Sequence, residues 1–465
     1  MQPPRTIVSI ALLSFAATAA AAATDGFDPH FGSGGVVLIG SSPMGDALQR
    51  AHGIAVDADG RILVATATDG VTVDVDPQPT LVPAIVRLNA DGSWDETFGE
   101  SGIYKFPGTA TVSTYGGEAR GVAVMSDGSI LAAGETYKLP FSVNDVHSCT
   151  LLFKIDADGT LDPTFGDGGS LCFDFAPEVP GTNFAHNASI AIGSGDLVYL
   201  TTPQTNLSLG AVARFLPNGV LDATYGSGGI ASASGAPAFT MLALQADQRV
   251  VATDGTYTDR FTESGGLDPT FGAGGELVID FDPPPTPYAE SAMFDRDGRL
   301  VSALDFGVGD LSLSRIDADG SLDATFNGMG EQPGFPGFAT MPLQGYMPYL
   351  IAAAPVEDRI FAIGGLDFTD PTGSTLLLAR FNGDASFDAT YGDAAHPGWT
   401  GVRLGDGAFS YNDAYGLTTD PAGRIFVVAF FYGATVGRCN GIVRIIPDDL
   451  FNDGLDPPPT PVCPP

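Results

Sequence analysis

LLFKIDADGTLDPTFGDGG, residues 151–169, holds the pattern that decides the fold. A short apolar strand leads into an Asp-Gly turn. An Asp, an aromatic residue and a cluster of glycines follow. The second half of this stretch recurs as FDPHFGSGG at 27–35, WDETFGESG at 94–102, LDATYGSGG at 221–229, LDPTFGAGG at 267–275, LDATFNGMG at 322–330 and FDATYGDAA at 387–395. The aromatic falls at Phe31, Phe98, Phe165, Tyr225, Phe271, Phe326 and Tyr391, with a mean spacing of 60 residues. Self-similarity at such a period marks a repeat architecture, so a 465-residue chain need not be two or three domains.

A second phrase alternates with the first: GIAVDADGRILVAT at 53–66, GVAVMSDGSILAAG at 121–134, SIAIGSGDLVYLT at 189–201, MLALQADQRVVAT at 241–253, SAMFDRDGRLVSAL at 291–304, IAAAPVEDRIFAIGG at 351–365 and GLTTDPAGRIFVVAF at 416–430. Each is two apolar strands around a polar turn, a β-hairpin pattern. A third strand precedes each first phrase, as in AIVRLNADG at 84–92, and a fourth follows it, as in GIYKF at 102–106. Helical periodicity is missing throughout. Four short strands repeated seven times predict an all-β, seven-bladed β-propeller with four-stranded antiparallel blades. A β-helix needs shorter coils, and a sandwich does not repeat.

The run GIAVD, GRILVA, VRLNADG and FG..G resembles the NHL repeat of β-propellers. With its longer period it is still more similar to the delta-60 repeat family of secreted bacterial proteins. The resemblance spans almost all of 27–450 and implies a propeller-like fold. It implies no established activity.

One charge pattern suggests how the ring closes. Strand c of each repeat carries a base: Arg87, Lys154, Arg214, Arg260, Arg315, Arg380 and Arg444. Eight residues after each of the first six stands an acid: Asp95, Asp162, Asp222, Asp268, Asp323 and Asp388. Arg444 lacks such a follower, and the leftover copy, Asp28, lies at the other end of the chain. Blade 7 is therefore expected to take strands a to c from 415–446 and its turn and strand d from 27–39. This removes a free sheet edge. Seven equivalent pairs suit architecture better than catalysis, which needs one site. Asp before Pro, Ala or Glu and then Thr suits the cap of a short helical turn.

Composition excludes several classes. The chain has 55 Asp+Glu against 20 Lys+Arg, a formal net charge of −35, so a phosphate-neutralising nucleic-acid binder is ruled out. Its 44% apolar content is too high for a disordered chain. The N-terminus, MQPPR followed by TIVSIALLSFAATAAAAAT, has the cation, apolar run and small-residue end of a secretory signal, with cleavage expected after Ala23. A membrane anchor is the alternative. The mature chain lacks any further apolar span of membrane length. The expected organisation is a signal at 1–23, one propeller at 24–450 and a Pro-rich tail at 451–465, exported to the periplasm or the medium of a bacterium and monomeric.

Cys149, Cys172, Cys439 and Cys463 make an even count, which in an exported chain favours disulfides. Three connectivities are possible. Cys149–Cys172 within one blade and Cys439–Cys463 to the tail are favoured, with a zinc site as the alternative.

Function is less legible. The a–b and c–d turns share one face and are repeated, so that face reads as architecture. The b–c and d–a loops share the opposite face and differ in length, which is where recognition usually resides. The positions preceding strand a, His52, Arg120, Ala188, Thr240, Glu290, Leu350 and Tyr415, should ring the channel mouth. His52, Arg120, Glu290 and Tyr415 form the candidate polar cluster there. DADG turns at 57–60, 156–159 and 317–320 hint at calcium but lack the acids and final Glu of an EF-hand. A metal site and a bound cofactor are not expected. The reading is a non-catalytic binding or scaffold propeller for an unknown protein or glycan. A secreted hydrolase or lyase acting on a lactone or glycan at the channel mouth is the alternative.

Overall fold

The computed structural model describes residues 27–446, apart from 70–80, 109–116, 138–147, 176–188, 202–208, 236–237, 282–286, 307–309, 328–330, 333–334, 342–345, 369–374, 394–395, 403–410 and 434–436. The proposed signal, the tail and Cys463 lie outside this set, as do most of the irregular b–c and d–a loops.

Seven antiparallel sheets follow one another around a ring. Blade 1 comprises Gly53–Val56, Ile62–Asp69, Leu81–Leu88 and Ile103–Lys105. Strand a of each blade packs against strand a of the blades on either side, and the last meets the first, so these seven strands surround the axis. Two blades depart from four strands. Blade 5 adds Glu331–Gln332 beside its outer strand Phe335–Met341. Blade 6 carries a small hairpin, Gly392–Asp393 with His396–Pro397, in its c–d connection.

Blade 7 is built from both ends of the described chain. Val36–Ile39 pairs antiparallel with Gly437–Ile445, in the register Val36 to Val443. Backbone bonds from Asp28 N to Arg444 O (3.0 Å) and from Arg444 N to Gly35 O (2.9 Å) extend the join.

The repeated aromatic explains how blades adhere. Each one is buried in a core shared with the following blade. Phe98 of blade 1 packs with Ile130, Phe153 and Ile155 of blade 2, and Phe31 of blade 7 packs with Ile62, Val86 and Leu88 of blade 1. Burying such a side chain contributes about 1.5–3 kcal/mol.

The Asp of each phrase uses its two oxygens differently. Asp95 Oδ1 accepts from Thr97 N at 3.0 Å, and the same bond recurs at Asp162, Asp222, Asp268, Asp323 and Asp388. The result is a hydrogen-bonded turn, with no helix, where a short helical turn was expected. Oδ2 faces the base of strand c: Arg87–Asp95 at 2.8 Å, Lys154–Asp162 at 3.1 Å, Arg214–Asp222 at 2.7 Å, Arg260–Asp268 at 2.8 Å, Arg315–Asp323 at 2.6 Å, Arg380–Asp388 at 2.9 Å and Arg444–Asp28 at 2.8 Å.

The guanidinium also reaches the next blade. Nη1 of Arg87, Arg214, Arg260, Arg315 and Arg444 donates to the carbonyl of Ala157, Glu263, Ala318, Gly383 and Ala90, each in the following c–d turn. The same cations stand over the phrase aromatics, 4.3 Å from the Phe98 centroid and 4.6 Å from that of Phe31. One residue thus ties a turn, a ring and a neighbouring blade. Lys154 has a single nitrogen, which pairs with Asp162 and, at 4.0 Å, with Asp127 of the same blade. At that seam Asp196 bridges instead, accepting from Ser126 N at 2.8 Å and Ser126 Oγ at 2.6 Å.

Cys149 and Cys172 are joined across strands c and d of blade 2, with a Cα separation of 5.5 Å. The second expected bridge ends on Cys463, outside the described residues.

Candidate ligand site at the channel mouth

Strand a enters four of the seven blades through an irregular step. In blades 2, 5 and 7 a β-bulge falls at Arg120, Glu290 and Tyr415, where the pairing skips one residue. A bulge re-aims the side chain it carries. In blade 6 the skipped residue is Ile351. This corrects the expectation for Leu350, which pairs with Gly364 and is buried in the core between blades 5 and 6. The extra residue displaces an alignment made by counting alone.

Close approach of the inner strands accounts for the glycines after these positions. A Cβ on Gly53 would meet Arg120 O at 2.5 Å, and one on Gly416 would meet His52 O at 2.7 Å. Blades 7, 1 and 2 are thereby drawn together at the mouth, bringing Tyr415, His52 and Arg120 to one place.

His52 Nε2 stands 3.0 Å from Glu118 Oε2. Arg120 Nη2 bridges Glu118 Oε2 at 3.1 Å and Glu135 Oε1 at 3.2 Å. All four side chains are 14–18% exposed, neither core nor free surface. The Tyr415 and His52 rings meet edge-on, centroids 5.6 Å apart. Arg50 lies over Tyr415 at 4.9 Å and over Phe430 at 5.2 Å.

The segment bearing Arg50 and His52 is pinned from blade 7. Buried Asn440 accepts from Ala51 N at 2.9 Å and donates to Gln49 O at 2.7 Å, and Thr66 Oγ1 donates to the same carbonyl at 2.9 Å. A buried amide whose oxygen and nitrogen are both hydrogen-bonded favours one conformation.

Electrostatics assign protonation states. Burial, reinforced by the Arg120 and Arg50 charges, pushes the His52 pKa down despite Glu118, so the imidazole is neutral at pH 7. Burial works against ionising Glu118. The hydrogen bond from His52 and the nearby arginines prevail and hold its pKa below the ordinary value. An ionised Glu118 can only accept, so His52 Nε2 carries the proton and Nδ1 is the free base.

Of the four residues singled out by sequence, His52, Arg120 and Tyr415 converge. Glu290 is half-buried on blade 5, three blades from both blade 1 and blade 2. Glu118, Glu135 and Arg50 were missed. Glu118 and Glu135 face each other as cross-strand partners of blade 2. The motifs GEAR at 117–120 and GET at 134–136 were the available signal, since both place Glu after Gly at the mouth end of a strand. Among the described residues, no group of three or more His, Cys, Asp or Glu is placed to hold a metal ion.

The family described as "Domain of unknown function (DUF5122) beta-propeller" matches residues 58–98, 126–165 and 296–326. Each match starts at an a–b turn and ends on the phrase aromatic, Phe98, Phe165 or Phe326. No curated protein matches the chain. Solved structures similar to it include a polysaccharide lyase, at 12% identity over 86% of this chain and 90% of that one, TM-score 0.44. Another is the β-propeller domain of the Trilobed protease from Pyrococcus furiosus, at 10% identity over 88% and 98%, TM-score 0.39. A third is the calcium-binding protein regucalcin from Agrobacterium tumefaciens, at 12% identity over 72% and 86%, TM-score 0.31.

Proposed function

We propose that this chain is an exported binding propeller, acting in the periplasm or outside the cell without chemistry or cofactor, whose ligand sits at the channel mouth on blades 7, 1 and 2. One observation carries the reading. Arg50, His52, Glu118, Arg120, Glu135 and Tyr415 form a polar cluster that occurs once among the described residues, in a ring whose turn-face ion pairs recur seven times. Hydrogen-bonding groups held on a rigid scaffold and left partly open to solvent are the usual material of a recognition site. The test is a screen of the full chain on a glycan array and against surface protein extracts. Arg120→Ala and, as a second variant that leaves the carboxylates paired with His52, Tyr415→Ala should each weaken any ligand found by ten-fold or more. A ligand indifferent to both variants would move the site elsewhere.

A second reading, a hydrolase or lyase at the same mouth, has one observation in its favour. His52 is neutral, oriented by Glu118 and free at Nδ1, as a general base must be. Glu118, held ionised, does not supply the matching acid. Turnover of a lactone or glycan panel, abolished in His52→Ala, would put this reading first.

A further inference from the structure

Among the described residues, nearly every cation is committed to a carboxylate, and one of the two exceptions lies at the mouth. The side chains of 16 Lys and Arg residues are described. Fourteen of them hold a carboxylate, namely 61, 87, 105, 120, 154, 214, 249, 260, 299, 315, 359, 380, 424 and 444. The other two are Arg50 and Arg296. Arg296 sits exposed at the tip of the a–b turn of blade 5. Arg50 is exposed as well, but its guanidinium is held against two aromatic rings, Tyr415 and Phe430. In a chain with 55 acids, a cation without a carboxylate is itself unusual.

We infer that Arg50 is the receptor for a single carboxylate on a saccharide ligand, an acidic sugar read at the mouth. The inference rests on the binding site proposed above. Its first support is preorganisation. Tyr415 and Phe430 order the guanidinium, and Asn440 orders the backbone of the segment that carries it, so little side-chain freedom remains to be lost on binding. Held 4.9 Å and 5.2 Å from the two ring centroids, the guanidinium keeps its N–H fork, which matches a carboxylate in bidentate fashion.

The second support is charge. The cluster is locally balanced, with Arg50 and Arg120 against Glu118 and Glu135 and a neutral His52. The whole chain carries −35. Such a field repels polyanions and doubly charged groups. A singly charged carboxylate meets Arg50 at the smallest electrostatic cost. Sulfated or phosphorylated polymers are disfavoured by the same argument. The third support is the setting: the carboxylates and the His52 ring beside Arg50 offer acceptors for sugar hydroxyls, which a peptide terminus would leave unused.

The test uses the full chain and isothermal titration with neutral oligosaccharides that carry a single galacturonate or glucuronate residue, their carboxyl-reduced counterparts and a peptide with a single carboxylate. Acidic oligosaccharides should bind at least ten-fold tighter than the reduced ones, with affinity falling as salt rises. Arg50→Gln should erase that preference, Arg50→Lys should restore part of it, and both should keep the wild-type melting temperature because Arg50 is exposed. Equal affinity for acidic and reduced sugars, weakened in Tyr415→Ala, would overturn the carboxylate inference and leave the mouth as the site. Arg50-dependent binding of the peptide without any saccharide binding would overturn the ligand class. Binding of acidic sugars unaffected by Arg50→Gln or by Tyr415→Ala would overturn both the inference and the site.

Discussion

The two faces of this propeller use the same residue types in opposite ways. On the turn face, arginine is repeated, and each copy answers a local acid and a ring, with five of the six also reaching the next blade. At the mouth, Arg50 and Arg120 occur once each, without counterparts among the described residues of the other blades. A side chain needed for closure must recur with every blade, because every seam poses the same problem. A side chain needed to recognise something has no reason to recur. The turn face is further committed by a second set of pairs, Arg61–Asp57, Arg299–Asp295 and Arg424–Asp420, at 2.6–2.7 Å, in the a–b turns.

The comparison breaks most visibly if a seam is opened. Asp268 resists burial through hydrogen bonds from Thr270 and through Arg249 and Arg260, which hold its carboxyl far below the ordinary value. Asp268→Ala should cost about 3–5 kcal/mol in urea unfolding, as expected when one partner of a buried pair is removed. Asp388 is held at about 2 against its burial by Thr390, Arg359 and Arg380. A carboxyl depressed on folding stabilises above its unfolded value and loses that contribution as pH falls toward the folded one. Wild-type stability from these seams should therefore decline below about pH 4.

Blade 4 holds an acid that behaves in the opposite sense. Asp259 is 1% exposed, with no hydrogen-bond partner on either oxygen, and its equivalents in blades 1 and 2 are Val86 and Phe153. Burial, with Glu276 and Asp254 nearby, raises it to about 7. A carboxyl raised on folding favours the folded state most at low pH and loses that advantage as pH climbs from about 4 through 7. Asp259→Asn should raise the melting temperature at pH 8 and leave it nearly unchanged at pH 4. Equal shifts at both values would show that the site is not titrating.

The smallest effect belongs to the one seam that differs. Lys154→Arg offers the blade 3 turn a hydrogen bond and Phe165 a stacked cation. It should add about 1 kcal/mol or less in thermal unfolding. A loss would mean that the bridge between Asp196 and Ser126 has set a spacing that the longer fork cannot enter.

Much of this was legible before any coordinates. Seven phrases with aromatic, Asp and Gly in one order specify blades, and the unmatched Asp28 and Arg444 specify how the last blade is completed. The link from five of these arginines to the following blade was hidden because its acceptor is a backbone carbonyl, which leaves no mark in composition. The mouth was half legible. Position counting found His52, Arg120 and Tyr415, but each bulge resets the alternation of faces, so counting slipped at Leu350. Glu118 and Glu135 escaped because their pairing depends on that local break.

The latch formed by Val36–Ile39 and Gly437–Ile445 also dictates a schedule. The strand made near the start of synthesis waits for a partner that is made near the end. Until then both carry unpaired backbone edges, which invite association with other chains. A ribosome that stalls after blade 6 therefore releases a product whose Val36–Ile39 lacks its partner, while in the full chain that strand is paired with Gly437–Ile445.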